Sequence, residues 1–160
     1  MKKTVWMTML AISLLATGAQ AAELHVQGAW VRLPPPVSDT AAAYALFGNP
    51  GKQDVRITGV SADVAASAML HSMAGGRMET LKHADVPAGG RVRFAPGGMH
   101  IMLMGLKHPL TAGDTIRIDL RYADGSHQGF DAVVRDARSD AGGMEHMGDM
   151  HDMGGMEHPH

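Results

Sequence analysis

Not one of the 160 residues is a cysteine. That absence removes disulfide staples, so whatever holds the fold together must come from its apolar core. It also removes the thiolate, so a metal site in this chain has to be assembled from imidazole, thioether and oxygen ligands. A formal net charge of −2 leaves no basic surplus for a nucleic-acid backbone. Beyond the first 21 residues no apolar run is long enough to cross a bilayer, which takes about 20 residues. The chain also lacks a Ser/His/Asp set, a paired-carboxylate cleft and a phosphate-binding loop. Its composition therefore reads as that of a binding protein rather than an enzyme.

What is present begins with an export signal. Lys2 and Lys3 precede an apolar stretch from Val5 to Ala16, and Ala19-Gln20-Ala21 supplies a small-x-small cleavage site. Cleavage after Ala21 is expected to release a soluble, exported protein with no membrane span. Residues 22–138 are then the size of one domain with one core. Residues 139–160 differ in kind: five Met, four His, five acids, five Gly and one Pro, with no aliphatic side chain beyond Ala141. Such a segment buries too little apolar surface to order itself and reads as a disordered tail.

Between these ends the chain reads as all-β. Short apolar–polar alternations recur near Leu24–Arg32, Ala41–Phe47, Asp54–Ser61, Ala66–Met73, Arg77–Ala84, Gly90–Phe94, His100–Leu106, Asp114–Tyr122 and Gln128–Val134. Turn residues punctuate them, including Pro34-Pro35-Pro36, Asn49-Pro50-Gly51, Pro96-Gly97-Gly98 and Asp124-Gly125. Regular short strands with such turns predict a sandwich or barrel. Val64–Leu70 is the one stretch that also fits a short helix. In Thr115–Tyr122 the alternation is cleanest, placing Ile116, Ile118, Leu120 and Tyr122 on one face.

Two His-x-Met triplets, His71-Ser72-Met73 and His100-Ile101-Met102, carry the chemistry. Residues two apart on a strand share a face, so His71 pairs with Met73, and His100 with Met102 and Met104. Met99, Ile101 and Leu103 would then point to the core. Met78, across the Ala74-Gly75-Gly76 turn, is close enough to join. Thioethers are soft ligands that select Cu(I) over zinc, magnesium or calcium. If the ends of the two strands lie side by side, an imidazole and a thioether from each, His71 with Met73 and His100 with Met102, can converge on one ion that Met78 can join. His25, His83, His108 and His127 lack a same-face Met in a matching turn and read as surface histidines. In the tail, Met144, Met147, Met150, Met153 and Met156 recur every three residues and suit Cu(I). His146, His151, His158 and His160 suit Cu(II). A blue-copper electron-transfer site needs a Cys ligand and is excluded.

The spacing of these residues resembles the signature of the periplasmic copper chaperones called PCu(A)C: a His, a Met some ten residues on, twenty-one further residues, then His-x-Met. Met78, His100 and Met102 match it without adjustment, and Gly97-Gly98-Met99-His100-Ile101-Met102-Leu103-Met104-Gly105-Leu106 is similar to the family's core segment. Ala29-Trp30-Val31-Arg32, Ala43-Tyr44 and Asn49-Pro50-Gly51 extend the likeness over nearly the whole domain. One departure stands out, since six residues rather than ten separate His71 from Met78. An even deletion preserves strand faces while altering where the two residues meet, which leaves Met73 as the alternative to Met78. The resemblance implies a cupredoxin-like Greek-key β-sandwich or barrel, monomeric, that binds one Cu(I) through His71, Met78, His100 and Met102. It further implies delivery of that copper towards the CuA centre of cytochrome c oxidase, directly or through an assembly factor. The alternative is a periplasmic storage or resistance protein that buffers several copper ions.

Overall fold

The computed structural model describes residues 23–136. The expected leader, residues 1–21, and the expected Met/His-rich tail, residues 139–160, lie outside the described residues. Among the described residues there are ten strands and no helix. In chain order they are β1 (His25–Arg32), β2 (Thr40–Gly48), β3 (Val55–Ala62), β4 (Ala65–Ala74), β5 (Arg77–Leu81), β6 (Ala84–Val86), β7 (Arg91–Phe94), β8 (His100–Leu106), β9 (Thr115–Tyr122) and β10 (His127–Arg135). The all-β expectation holds. The ambiguous stretch Val64–Leu70 runs into β4, with Leu70 turned into the core. The single run expected over Arg77–Ala84 is two strands: Lys82-His83 interrupts it, and β6 leaves to pair with β3. No helix among the described residues is long and apolar enough to cross a membrane.

The strands join in one hydrogen-bonded path, β5-β4-β8-β2-β1-β10-β9-β3-β6, with β7 paired to the second half of β2. Neighbours such as β4 and β8, β8 and β2, or β9 and β3 are not consecutive in sequence, so the chain crosses over repeatedly, as Greek-key connections do. All pairings are antiparallel except β1 with β10. The inner face holds the core. Phe47 lies at its heart, with Phe94 and Phe130 edge-on at 4.9 and 5.7 Å between ring centroids, an arrangement favoured by the ring quadrupoles. Ile116, Ile118, Leu120 and Tyr122 all enter this core, as the alternation of β9 predicted.

One irregularity positions the outer face. The register between β1 and β2 shifts between Gln27 and Trp30, where Gly28 takes a φ of 58° that other residues rarely adopt. Val26 packs on the core, and without the shift Trp30 would follow it inward. The extra residue reverses the parity, so Val31 is buried and Trp30 stands outside against Tyr44, 4.7 Å between ring centroids. Tyr44 alternates with core residues Ala43 and Ala45 and so belongs to the outer face, yet it is buried there. Trp30 on one side, His100 on the other and the Arg32 guanidinium, 6.0 Å from the ring centre, cover it.

Candidate metal centre

The two His-x-Met triplets meet because β4 and β8 are neighbours. His71 lies directly opposite His100, Met69 opposite Met102, and Ser67 opposite Met104. On the other side of β4, the hairpin to β5 sets Met73 opposite Met78 and His71 opposite Thr80. Cross-strand partners share a face, and residues two apart on a strand share it too. The outer surface of β5, β4 and β8 therefore carries two imidazoles at its centre, Met73 and Met78 towards the hairpin turn, and Met69, Met102 and Met104 the other way. The alternate residues Leu70, Ile101 and Leu103 are buried in the core, which holds both strands rigidly behind the cluster.

The short hairpin is closed by Gly75 and Gly76 alone, at φ values of 58° and 77°, with Ala74 paired to Arg77. Positive φ at both central residues is the requirement of a type I′ turn, which only glycine or asparagine meets readily. The turn keeps Met78 on the face of His71 but sets it diagonally, beside Met73. Met78 is 51% exposed, whereas Met73 is half-buried. Met73, two residues along β4, and Met78, diagonal on β5, are both neighbouring positions of His71 on this face.

The imidazoles are better buried than a surface ligand pair would be, His71 at 8% exposure and His100 at 5%. Their rings stand edge to face, 5.7 Å between centroids. His100 Nδ1 lies 3.1 Å from the Gly98 carbonyl oxygen. A carbonyl only accepts, so Nδ1 carries the proton and Nε2 keeps its lone pair. On His71, Nε2 is 3.2 Å from the Thr80 hydroxyl, while Nδ1 is buried with no hydrogen-bond partner. A hydroxyl can donate or accept; in the tautomer where Nε2–H donates to Thr80, the orphaned Nδ1 is a bare lone pair. A buried acceptor left unpaired costs about 1–3 kcal/mol, a penalty that a bound cation would remove. Burial, and then the neighbouring His100, push the His71 pKa below its ordinary value, which keeps the ring in the neutral form that binds metals. In that tautomer each ring offers one unshared nitrogen lone pair and has its other nitrogen tied down, an arrangement typical of metal-ligating histidines.

Among the described residues no group of three or more His, Cys, Asp or Glu is placed to hold a metal. The side chains that share the outer face with the imidazole pair at neighbouring positions include the thioethers of Met69, Met73, Met78 and Met102, ligands that favour a soft ion. Of the sequence-derived candidates, His71, His100, Met102, Met73 and Met78 fall on this one face. Met144, His146, Met147, Met150, His151, Met153, Met156, His158 and His160 lie outside the described residues. His25, His83, His108 and His127 are exposed and away from the cluster. Met69, 42% exposed and paired with Met102, escaped the sequence reading. Its signal was there: alternation counted backwards from His71 reaches it as surely as counting forwards reaches Met73. Tyr44, whose ring centroid lies 6.3 Å from that of His100, had no local signal, because only the sheet order brings it there.

Over residues 24–134 the chain matches the family model described as "Putative lipoprotein LpqE-like". The protein named "Putative lipoprotein Lxx21020" of Leifsonia xyli subsp. xyli (strain CTCB07) is 38% identical over 124 residues, covering 74% of each chain. Among solved structures, "Solution structure of CuI-DR1885 from Deinococcus Radiodurans" superposes with a TM-score of 0.63 at 34% identity, over 76% of this chain and 84% of that one. The "Copper-bound PCuAC domain from PmoF2" also gives 0.63, at 24% identity, over 73% and 97%; at that identity the likeness concerns the fold. None of the 160 residues here is a cysteine, so no residue of this sequence can carry a thioether-linked lipid.

Proposed function

The chain belongs to the LpqE-like family and has the fold of PCuAC domains, and from that premise we propose that it is a periplasmic copper chaperone. Its cargo is Cu(I), bound by His71 and His100 with Met102 and with Met78 or Met73. The observation that carries this reading is the His71–His100 pair itself: two buried imidazoles face each other across one ladder, with Met69, Met73, Met78 and Met102 at neighbouring positions of the same face. The relative from Deinococcus radiodurans is described as carrying Cu(I), which agrees with that ligand chemistry. Four neutral ligands leave the site with the charge of the ion alone. An acceptor with a Cys thiolate binds Cu(I) more strongly, so copper passes to it by exchanging ligands one at a time. The CuA centre of cytochrome c oxidase is such an acceptor, reached directly or through an assembly factor.

In this reading the leader is removed after Ala21, the domain spans residues 22–138, and residues 139–160 gather copper for it. Arg135, the last residue of β10, pairs with Arg32 of β1, and β10 stands three strands from β8 in the sheet. At about 4.8 Å per strand that is about 14 Å. Met144 follows nine residues later, a length that would span about 16 Å as a flexible linker, so the proposed feeding role requires Met144 to cover a gap of about that size.

An anaerobic Cu(I) titration against a chromophoric competitor tests the proposal, on the native chain and on His100→Ala/Met102→Ala. The tightest equivalent is expected to vanish in the variant, and the loaded native chain is expected to metallate an apo CuA domain. Retention of that equivalent would sink the domain site. The second reading, a copper buffer, draws on the five Met and four His of residues 139–160. It gains if removing residues 139–160 abolishes most of the bound copper and if loaded protein fails to transfer to the CuA domain.

A further inference from the structure

Met69, Met102 and Met104 have no evident structural use. They occupy outward positions on β4 and β8, where a strand with one wet face normally carries polar residues. Their cross-strand neighbours are small, Ala42 opposite Met102, Thr40 opposite Met104 and Ser67 also opposite Met104, and Met69 is exposed while Met102 and Met104 are partly buried. Met69 lies directly across from Met102, with Cβ atoms about 5 Å apart by strand geometry, and diagonal to Met104 at about 7–8 Å. Each side chain has three rotatable bonds before its methyl, enough for three sulfurs to converge above the sheet.

We propose that Met69, Met102 and Met104 form a second, all-thioether Cu(I) position adjoining the imidazole pair, with Met102 common to both. The proposal rests on the reading that Cu(I) is the cargo and adds a place for it to move. Transfer between the positions needs no redox step. The bond from copper to the Met102 sulfur persists while those to the His71 and His100 nitrogens and to the Met78 or Met73 sulfur break and bonds to the Met69 and Met104 sulfurs form. Copper remains Cu(I), every ligand is neutral, and no proton is exchanged. Without imidazole the second position is the weaker one, so it fills after the first and offers a more exposed, more exchangeable ion to an acceptor.

The test is an anaerobic Cu(I) titration of the native chain, carried to saturation and followed by NMR of 13C-labelled methionine methyls. Two events are expected at Met102, the second coinciding with a joint movement of Met69 and Met104. In Met104→Leu, a substitution of similar volume, the Met69 response and the second Met102 event are expected to disappear while the first persists. If Met69 and Met104 stay still at saturation, or if Met69 responds unchanged in Met104→Leu, the second position does not exist. Absence of the first Met102 event would instead count against the imidazole-centred site. The joint movement of Met69 and Met104 would still decide the second position in that case.

Discussion

Strands β8 and β9 obey the same pleat and differ in what they send outward. Both bury alternate aliphatic residues, Ile101 and Leu103 from β8, and Ile116, Ile118 and Leu120 from β9. The outward row of β9 is Arg117, Asp119 and Arg121, and Arg117 reaches the carboxylate of Asp131 on β10 at 3.2 Å. Such exposed pairs cost little to keep and contribute little. The outward row of β8 is His100, Met102 and Met104, beside His71 and Met69 of β4. There the sheet hides two imidazoles and leaves one nitrogen of His71 without a partner. A row arranged only for stability would resemble that of β9, so the outward face of β8 is where the molecule departs from the cheapest solution.

The contrast is sharpest when each strand is cut in turn. In His100→Ala/Met102→Ala, Cu(I) affinity should fall by at least about 100-fold, the upper end of what loss of a mere ring-orienting partner costs. Ile118→Ala in β9 should do the opposite, lowering unfolding stability by about 2–5 kcal/mol with Cu(I) affinity of the folded protein unchanged. Competition titration and chemical denaturation on both variants check the pair, and a shared loss of affinity would break the comparison.

A subtler cut leaves the ligands in place. Thr80→Val removes the hydroxyl that engages His71 Nε2 and should weaken Cu(I) binding by about 10–100-fold while leaving the melting temperature nearly unchanged.

The His71 ring also marks the outer face by its titration. Its folded pKa lies below the ordinary value of 6.5, so the unfolded chain takes up the proton first. Stability of the metal-free protein should therefore be complete above about pH 6.5 and decline as the pH falls below that value. His71→Gln should flatten that decline in a series of apo-protein melting temperatures, and an unflattened curve would show that another group is responsible.

The smallest effects come from the turns. Gly75 and Gly105 both have positive φ, 58° and 64°. A Cβ on Gly75 meets nothing within 4 Å, whereas one on Gly105 would come within 2.9 Å of the Ala66 Cβ. Gly75→Ala should cost about 1–2 kcal/mol from the left-handed backbone alone, and Gly105→Ala measurably more. Equal thermal shifts would mean that the close approach of β8 to β4 relaxes freely.

Much of this was legible because strand periodicity is a local property. The faces of β8 and β9 followed from alternation, and the soft character of the site followed from residue types alone. What failed to show did so for nameable reasons. The bulge at Gly28 reverses parity within β1, and a single glycine in an alternating run does not announce that. The break at Lys82-His83 separates two strands that pair with different partners, and only those partners reveal it. Met69 was overlooked although its parity with His71 was plain, because it belongs to no His-x-Met triplet. Its partner Met102 is set by register.

By itself the sequence determined which donor types the chain carries, the all-β class and, in strands without a bulge, which side chains share a face. Those depend on residue type and on a two-residue repeat carried by the backbone. Only the tertiary structure decided that β4 lies beside β8 with His71 opposite His100, 29 residues apart in the chain. It also decided that Gly98 and Thr80 each tie down one nitrogen of a ring, and that a two-glycine turn lays Met78 beside Met73. Strand order and register are settled by which inner faces pack into one core, and that choice belongs to the whole sheet rather than to any segment of it.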